Sequence, residues 1–140
     1  MLTKTKFIRL KKIFEILHGP KGCLWDKKQT HKTLIPYLKE ETKELTHALR
    51  SGNYYHIKEE LGDVLLQVML HAQIASKRGS FDIEDVLDGL IQKIKRRHPH
   101  VFGKIKVKSV REIKANWEKI KRREKKEQTK NPDFLGAFRR

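Results

Sequence analysis

A single cysteine, Cys23, stands among 140 residues, so an intramolecular disulfide framework is excluded and a reducing compartment is the expected setting. No apolar run approaches the roughly 18 residues of a membrane span. The leading stretch Leu2 to Leu17 is broken by Lys4, Lys6, Arg9, Lys11, Lys12 and Glu15, so it lacks the apolar core of a signal peptide. Alternation of Val, Ile and Thr never survives four residues, which leaves almost no room for strands. There is no internal repeat. Acids are scarce beside bases: 17 Asp and Glu face 33 Lys and Arg, a formal net charge of +16. That excess predicts attraction to polyanions, whether nucleotides, nucleic acid or an anionic membrane surface, without choosing among them. The expectation is a cytoplasmic, all-α chain with one domain over residues 1–128 and a polar, mobile tail over 129–140.

Apolar residues recur at spacings of three and four, the period of a bundle of about four to five helices. A first helix over about Thr5 to Leu17 places Phe7, Leu10, Phe14 and Leu17 on one face and ends at Gly19-Pro20. From His18 to about Lys32 the chain reads as an ordered loop carrying Trp25-Asp26. A second helix starts near Thr33, whose hydroxyl can cap it, with Pro36 in its first turn, and stops at Ser51-Gly52. Asn53 caps a third, which runs to Lys77-Arg78 and closes at Gly79, with Leu61, Leu65, Val68, Met69 and Ala72 as its core stripe. Glu60, Asp63 and Gln67 lie off that stripe. The short connection makes these two helices an antiparallel hairpin. Asp82 caps a fourth helix from Ile83 to about His98, and Ser109-x-x-Glu112 opens a fifth to about Glu127 with Ile113, Trp117 and Ile120 on one side. Phe134, Leu135 and Phe138 in the tail are candidates to dock.

The second helix carries Glu40, Glu41 and Glu44, and the third carries Glu60 and Asp63. Residues three apart share a helix face, so Glu41 with Glu44 and Glu60 with Asp63 each form a pair of oxygen ligands. Paired helices bring four carboxylates to one spot, where they repel unless a hard divalent cation sits between them. Taken singly, Glu40, Glu44 and Glu59 are as easily read as partners of Lys43, Lys39 and Lys58 on exposed helix faces; jointly the two acidic pairs point to Mg2+, or Mn2+. Glu44-x-x-His47 matches half of a di-iron motif, but no second Glu-x-x-His exists, and all-oxygen ligands favour the harder ions. Such a cation calls for an anionic substrate. Lys93 and Arg97, one turn apart, are suitable donors to phosphate oxygens, and equally suit a helix C-terminus. Trp117 and Lys121, again one turn apart, offer stacking and charge, or simply core packing. The mixed run Lys119 to Lys130 reads as a solvated face rather than a nucleic-acid surface.

Three segments occur in order: Gly22-Cys23-Leu24-Trp25-Asp26-Lys27-Lys28-Gln29-Thr30-His31, the Glu-Glu-x-x-Glu to Glu-x-x-Asp pair, and Arg96-Arg97-His98-Pro99-His100-Val101-Phe102-Gly103. In these the chain resembles the MazG family of nucleoside triphosphate pyrophosphohydrolases, over about residues 7 to 125. The resemblance implies an all-α, usually dimeric fold that uses Mg2+ to cut a nucleoside triphosphate between its α and β phosphates, giving the monophosphate and pyrophosphate. It implies Glu41, Glu44, Glu60 and Asp63 as metal ligands, and Glu40 as a further metal contact or a guide for the attacking water. Lys93 and Arg97 would contact phosphate, and Trp117 and Lys121 would complete the nucleotide site. Leu24 stands where the family usually has proline, and the chain holds one copy of a domain that many members carry twice, most like the first copy. The resulting expectation is an enzyme of this type, with clearance of non-standard nucleotides as its role. Two rivals stand beside it: a non-enzymatic basic helical module that binds RNA or protein, and a hydrolase of a regulatory guanosine nucleotide.

Overall fold

A computed structural model describes residues 2–130 and shows only helices among them. They are α1 Leu2–Leu17, α2 Leu24–Lys28, α3 His31–Ser51, α4 Tyr54–Lys77, α5 Ile83–Arg97, α6 Pro99–Phe102 and α7 Val110–Lys130. The five long helices are those the periodicity implies, and α2 and α6 are additions of a single turn or little more. No described helix is long and apolar enough to cross a membrane. The chain forms two compact units, Met1–Val86 and a second from Leu87 onward. The docking residues expected at Phe134, Leu135 and Phe138 lie outside the described residues, as does most of the 129–140 tail.

In the first unit, α3 and α4 form the expected antiparallel hairpin, and α1 packs on α4. Gly52 closes α3 at φ 69°, a left-handed conformation that a residue with a Cβ rarely adopts, and donates its N–H to Ala48 O. Asn53 then starts α4 by accepting from the N–H groups of Tyr55 and His56. The start of α3 differs from expectation. Thr30, not Thr33, is the cap: its hydroxyl accepts from Thr33 N at 3.2 Å, while Thr33 Oγ1 accepts from Thr30 N at 2.9 Å. This reciprocal pair extends the helix back to His31 and puts Pro36 in its second turn. The segment expected as loop folds into α2, pinned where Cys23 donates its N–H to Leu17 O at 2.8 Å. Gly22 makes that approach feasible, since a Cβ there would stand 2.0 Å from Leu17 O.

The core of this unit comprises Phe14, Leu34, Ala48, Met69, Leu70, Ala72, Ile74, Ala75 and Ile83, with Leu34 and Leu70 fully buried. The α4 stripe is thus only half as expected. Met69 and Ala72 are inside, but Leu61, Leu65 and Val68 are exposed, and Gln67, expected off the stripe, is buried. Burial is confined to the second half of α4, where Lys11 and Glu15 of α1 and His31 of α3 lie against it. There His31 and His71 stack at 5.0 Å with Nδ1 atoms 2.7 Å apart, a spacing that requires one proton between them.

Asp82 caps α5 as expected, accepting from Asp85 N at 3.0 Å while Asp85 returns the bond to Asp82 N. In the second unit, Ser109 caps α7 by accepting from Glu112 N, and Glu112 reaches one residue further back, to Lys108 N at 2.8 Å. Helix α7 continues past Glu127 to Lys130. It is tied to the end of α5 by Glu124 and to His98 by Trp117, whose rings meet edge to face at 5.8 Å.

Candidate active site

Gly52 sits at the centre of a symmetric register. Glu44 and Glu60 each stand eight residues from it, Glu41 and Asp63 eleven. Folding the hairpin there sets matching positions side by side. Glu41, Glu60 and Asp63 each offer an oxygen, and the three atoms lie within 4.8 Å of one another. Glu44 is not among the three but is close enough for its charge to act on both Glu41 and Glu60. Among the described residues none of Glu40, Glu41, Glu44, Glu60 and Asp63 forms an ion pair, so the lysine partnerships of a solvated face are not made.

The electrostatics follow from that crowding. Desolvation, and then the charges of Asp63, Glu60, Glu40 and Glu44, push the Glu41 carboxyl above its ordinary range. Glu60 is pushed the same way by desolvation, Asp63, Glu44 and Glu59, opposed by His56. One Glu60 oxygen, Oε2, is shielded from solvent and has no hydrogen-bond partner. Hard oxygen donors from two helices, mutual repulsion and an orphaned carboxylate oxygen together fit a hard divalent cation.

The expected nucleotide-contacting residues lie in the second unit. Lys93 is exposed on α5, one turn before Arg97. Arg97 is half-buried and donates from Nη2 to Glu124 Oε2 at 2.9 Å, beside Arg96, which donates from Nε to Glu124 Oε1 at 2.7 Å. Trp117 is half-buried with its indole N–H unpartnered, and the Lys121 ammonium lies 5.6 Å from its ring centroid. The structure therefore brings Arg97 to Glu124 and Lys121 to Trp117, and leaves Lys93 without an ion-pair partner among the described residues. Glu124 was not anticipated. Its signal was present: it continues the Ile113, Trp117, Ile120 spacing of α7, an acid on an apolar stripe.

Residues 29–102 match the model of the MazG nucleotide pyrophosphohydrolase domain, more than half the chain and the whole carboxylate hairpin. The chain belongs to the MazG family. The chain is 54% identical over 119 residues to the nucleoside triphosphate pyrophosphohydrolase/pyrophosphatase MazG of Thermotoga maritima, covering 85% of this chain and 45% of that protein. It is 42% identical over 118 residues to the nucleoside triphosphate pyrophosphohydrolase of Escherichia coli K12, covering 84% and 45%. An uncharacterised Bacillus subtilis protein, YabN, is 51% identical over 120 residues, covering 86% of this chain and 24% of its own length. The chain thus spans less than half the length of these curated relatives. Among solved structures, a MazG-related protein from Thermotoga maritima superposes with a TM-score of 0.65 at 27% identity, over 80% of this chain and 98% of that one. The all-α reading holds in both the helices and this neighbour.

Proposed function

We propose that the protein is a Mg2+-dependent nucleoside triphosphate pyrophosphohydrolase, with Mn2+ as an alternative ion, cutting between the α and β phosphates to release monophosphate and pyrophosphate. The observation that carries this reading is the meeting of Glu41, Glu60 and Asp63 within 4.8 Å, unpaired with any base, in a MazG domain. Glu41, Glu44, Glu60 and Asp63 would hold the cation. When bound, it supplies charge neutralisation to the triphosphate and acidifies a water molecule. Glu40, adjacent to this set, orients the attacking water or adds a metal contact. Lys93 and Arg97 offset the charge that develops on the departing pyrophosphate. Trp117 and Lys121 are assigned nucleotide contact, through ring stacking and a further positive charge.

A homodimer belongs to this proposal. Leu61, Leu65, Leu66 and Val68 of α4 are 39–53% exposed, an apolar face that a second identical chain would cover. The domain is assigned residues 1–128 and a cytoplasmic setting, the latter supported by the free thiol of Cys23. Clearance of non-standard nucleotides is the proposed role.

The test is product analysis with Mg2+ and a panel of standard and modified nucleoside triphosphates, with guanosine tetraphosphate assayed separately, beside Glu41→Gln. Monophosphate plus pyrophosphate, lost in the variant, supports the reading and ranks the substrates. Turnover of guanosine tetraphosphate alone moves it to a regulatory nucleotide. Absence of turnover with both Mg2+ and Mn2+ refutes it in favour of a binding module.

A further inference from the structure

Glu124 on α7 holds two consecutive arginines of α5 at once, one through each carboxylate oxygen. Its side chain is 11% exposed and that of Arg97 24%, against 49% for Arg96. A fully exposed ion pair of this kind would fix little. A shielded carboxylate bound by two guanidinium groups is held in place, and the Arg97 hydrogen bond, ahead of that from Arg96, keeps Glu124 ionised below the ordinary carboxylate range despite its burial.

The consequence falls on Arg97. Of its five N–H donors, one on Nη2 goes to Glu124, and Nε is shielded with no partner. What remains of the fork is both Nη1 donors and the second on Nη2, charge-assisted donors suited to phosphate oxygens.

We propose that Glu124 is a positioning residue, which clamps Arg96 and Arg97 from α7 and so fixes the Arg97 fork for a phosphate of the nucleotide. The inference rests on the functional reading above, in which Arg97 contacts phosphate. Two effects of Glu124 on an incoming phosphate have opposite signs. Its negative charge repels the phosphate, so on charge alone its removal would tighten binding. As a clamp it spares the ligand the work of ordering a long side chain, so its removal weakens binding. The sign of the change therefore decides.

The experiment is calorimetric titration of the full chain, with Mg2+, by an α,β-methylene nucleoside triphosphate that cannot be cut. Wild type is compared with Glu124→Ala, Glu124→Gln, Arg97→Ala and the Glu124→Ala/Arg97→Ala double variant, each checked for an intact thermal transition. Glu124→Ala is expected to weaken binding about tenfold, roughly the value of one charge-assisted contact. Glu124→Gln, which keeps an acceptor oxygen without the charge and guards against misfolding of the alanine variant, falls between. The double variant binds no more weakly than Arg97→Ala alone, because a clamp with nothing to hold has no further effect. Unchanged or tighter binding in Glu124→Ala beside a weakened Arg97→Ala overturns the proposal and leaves the functional reading standing, as do additive losses in the double variant. No binding by wild type, or wild-type affinity in Arg97→Ala, overturns both.

Discussion

Replacing Glu41 by Gln should have opposite effects on the protein with and without a divalent cation. Glu41 has four acidic neighbours, Asp63, Glu60, Glu40 and Glu44, all of which act to raise its pKa. Each exposed like-charge neighbour costs about 0.2–0.5 kcal/mol. Neutralising Glu41 in EDTA should therefore stabilise the fold by about 1 kcal/mol after solvent screening. With Mg2+ at a hundred times its dissociation constant, wild type should gain about 2.7 kcal/mol. For a chain of 140 residues that corresponds to about 10 °C in Tm. Glu41→Gln should lose most of this gain. The assay is thermal unfolding followed by circular dichroism at pH 7, in EDTA and across a Mg2+ titration. Wild type that does not respond to Mg2+ or Mn2+, or a variant that keeps the full response, would refute the metal reading. A variant less stable than wild type in EDTA would refute the account of the carboxylates as mutually repelling.

Leu34 is fully buried at the start of α3, so Leu34→Ala should cost about 2–5 kcal/mol, read from the urea midpoint at unchanged slope. Gly22→Ala should lower Tm markedly, because its methyl group would meet the backbone oxygen of Leu17 at 2.0 Å and neither segment can yield without breaking the Cys23 to Leu17 hydrogen bond; a Tm within 1–2 °C of wild type, by the roughly 0.5 kcal/mol tolerance of a neutral site, would refute it. His31 and His71 both have pKa values depressed from 6.5, chiefly by burial, then by Arg78 for His31 and by His31 for His71. Their contribution to stability is fully present above 6.5 and is lost as pH falls from there through the folded values. Urea midpoints measured at pH values on either side of that window should fall on the acid side for wild type, and the fall should shrink in His71→Leu.

What was legible in the chain is what is encoded locally. Asn53, Gly52, Asp82 and Ser109 mark helix ends by their own side chains or backbone freedom, and each stands where it was read. The hairpin was legible for the same reason, since helix periodicity and a short turn are enough to bring Glu41 to Glu60 and Asp63, although Glu44 stands outside that group of three. Helix α2 was not, because five residues are too few to show a period. The α3 cap was missed because Thr30 and Thr33 are both competent caps three residues apart, and which one leads depends on their reciprocal bonding. The buried part of α4 could not be read from hydropathy, because Leu61, Leu65 and Ala72 share one stripe and only the tertiary packing decides that its second half is covered while its first half stays exposed. Glu124 sits among basic neighbours that mask it, and its arginine partners lie 27 and 28 residues away.

The hairpin turn at Gly52 acts as a ruler. Because matching acids on α3 and α4 stand at equal distances from it, one residue added or removed between Ser51 and Tyr54 would turn one arm by about 100° and slide it by about 1.5 Å against the other. Every carboxylate would still be present, and every helix could still form, yet Glu41 would no longer meet Asp63. This part of the chain should therefore tolerate changes of identity far better than changes of length. On the proposed reading, inserting a single alanine after Asn53 should weaken Mg2+ binding as much as deleting a ligand does.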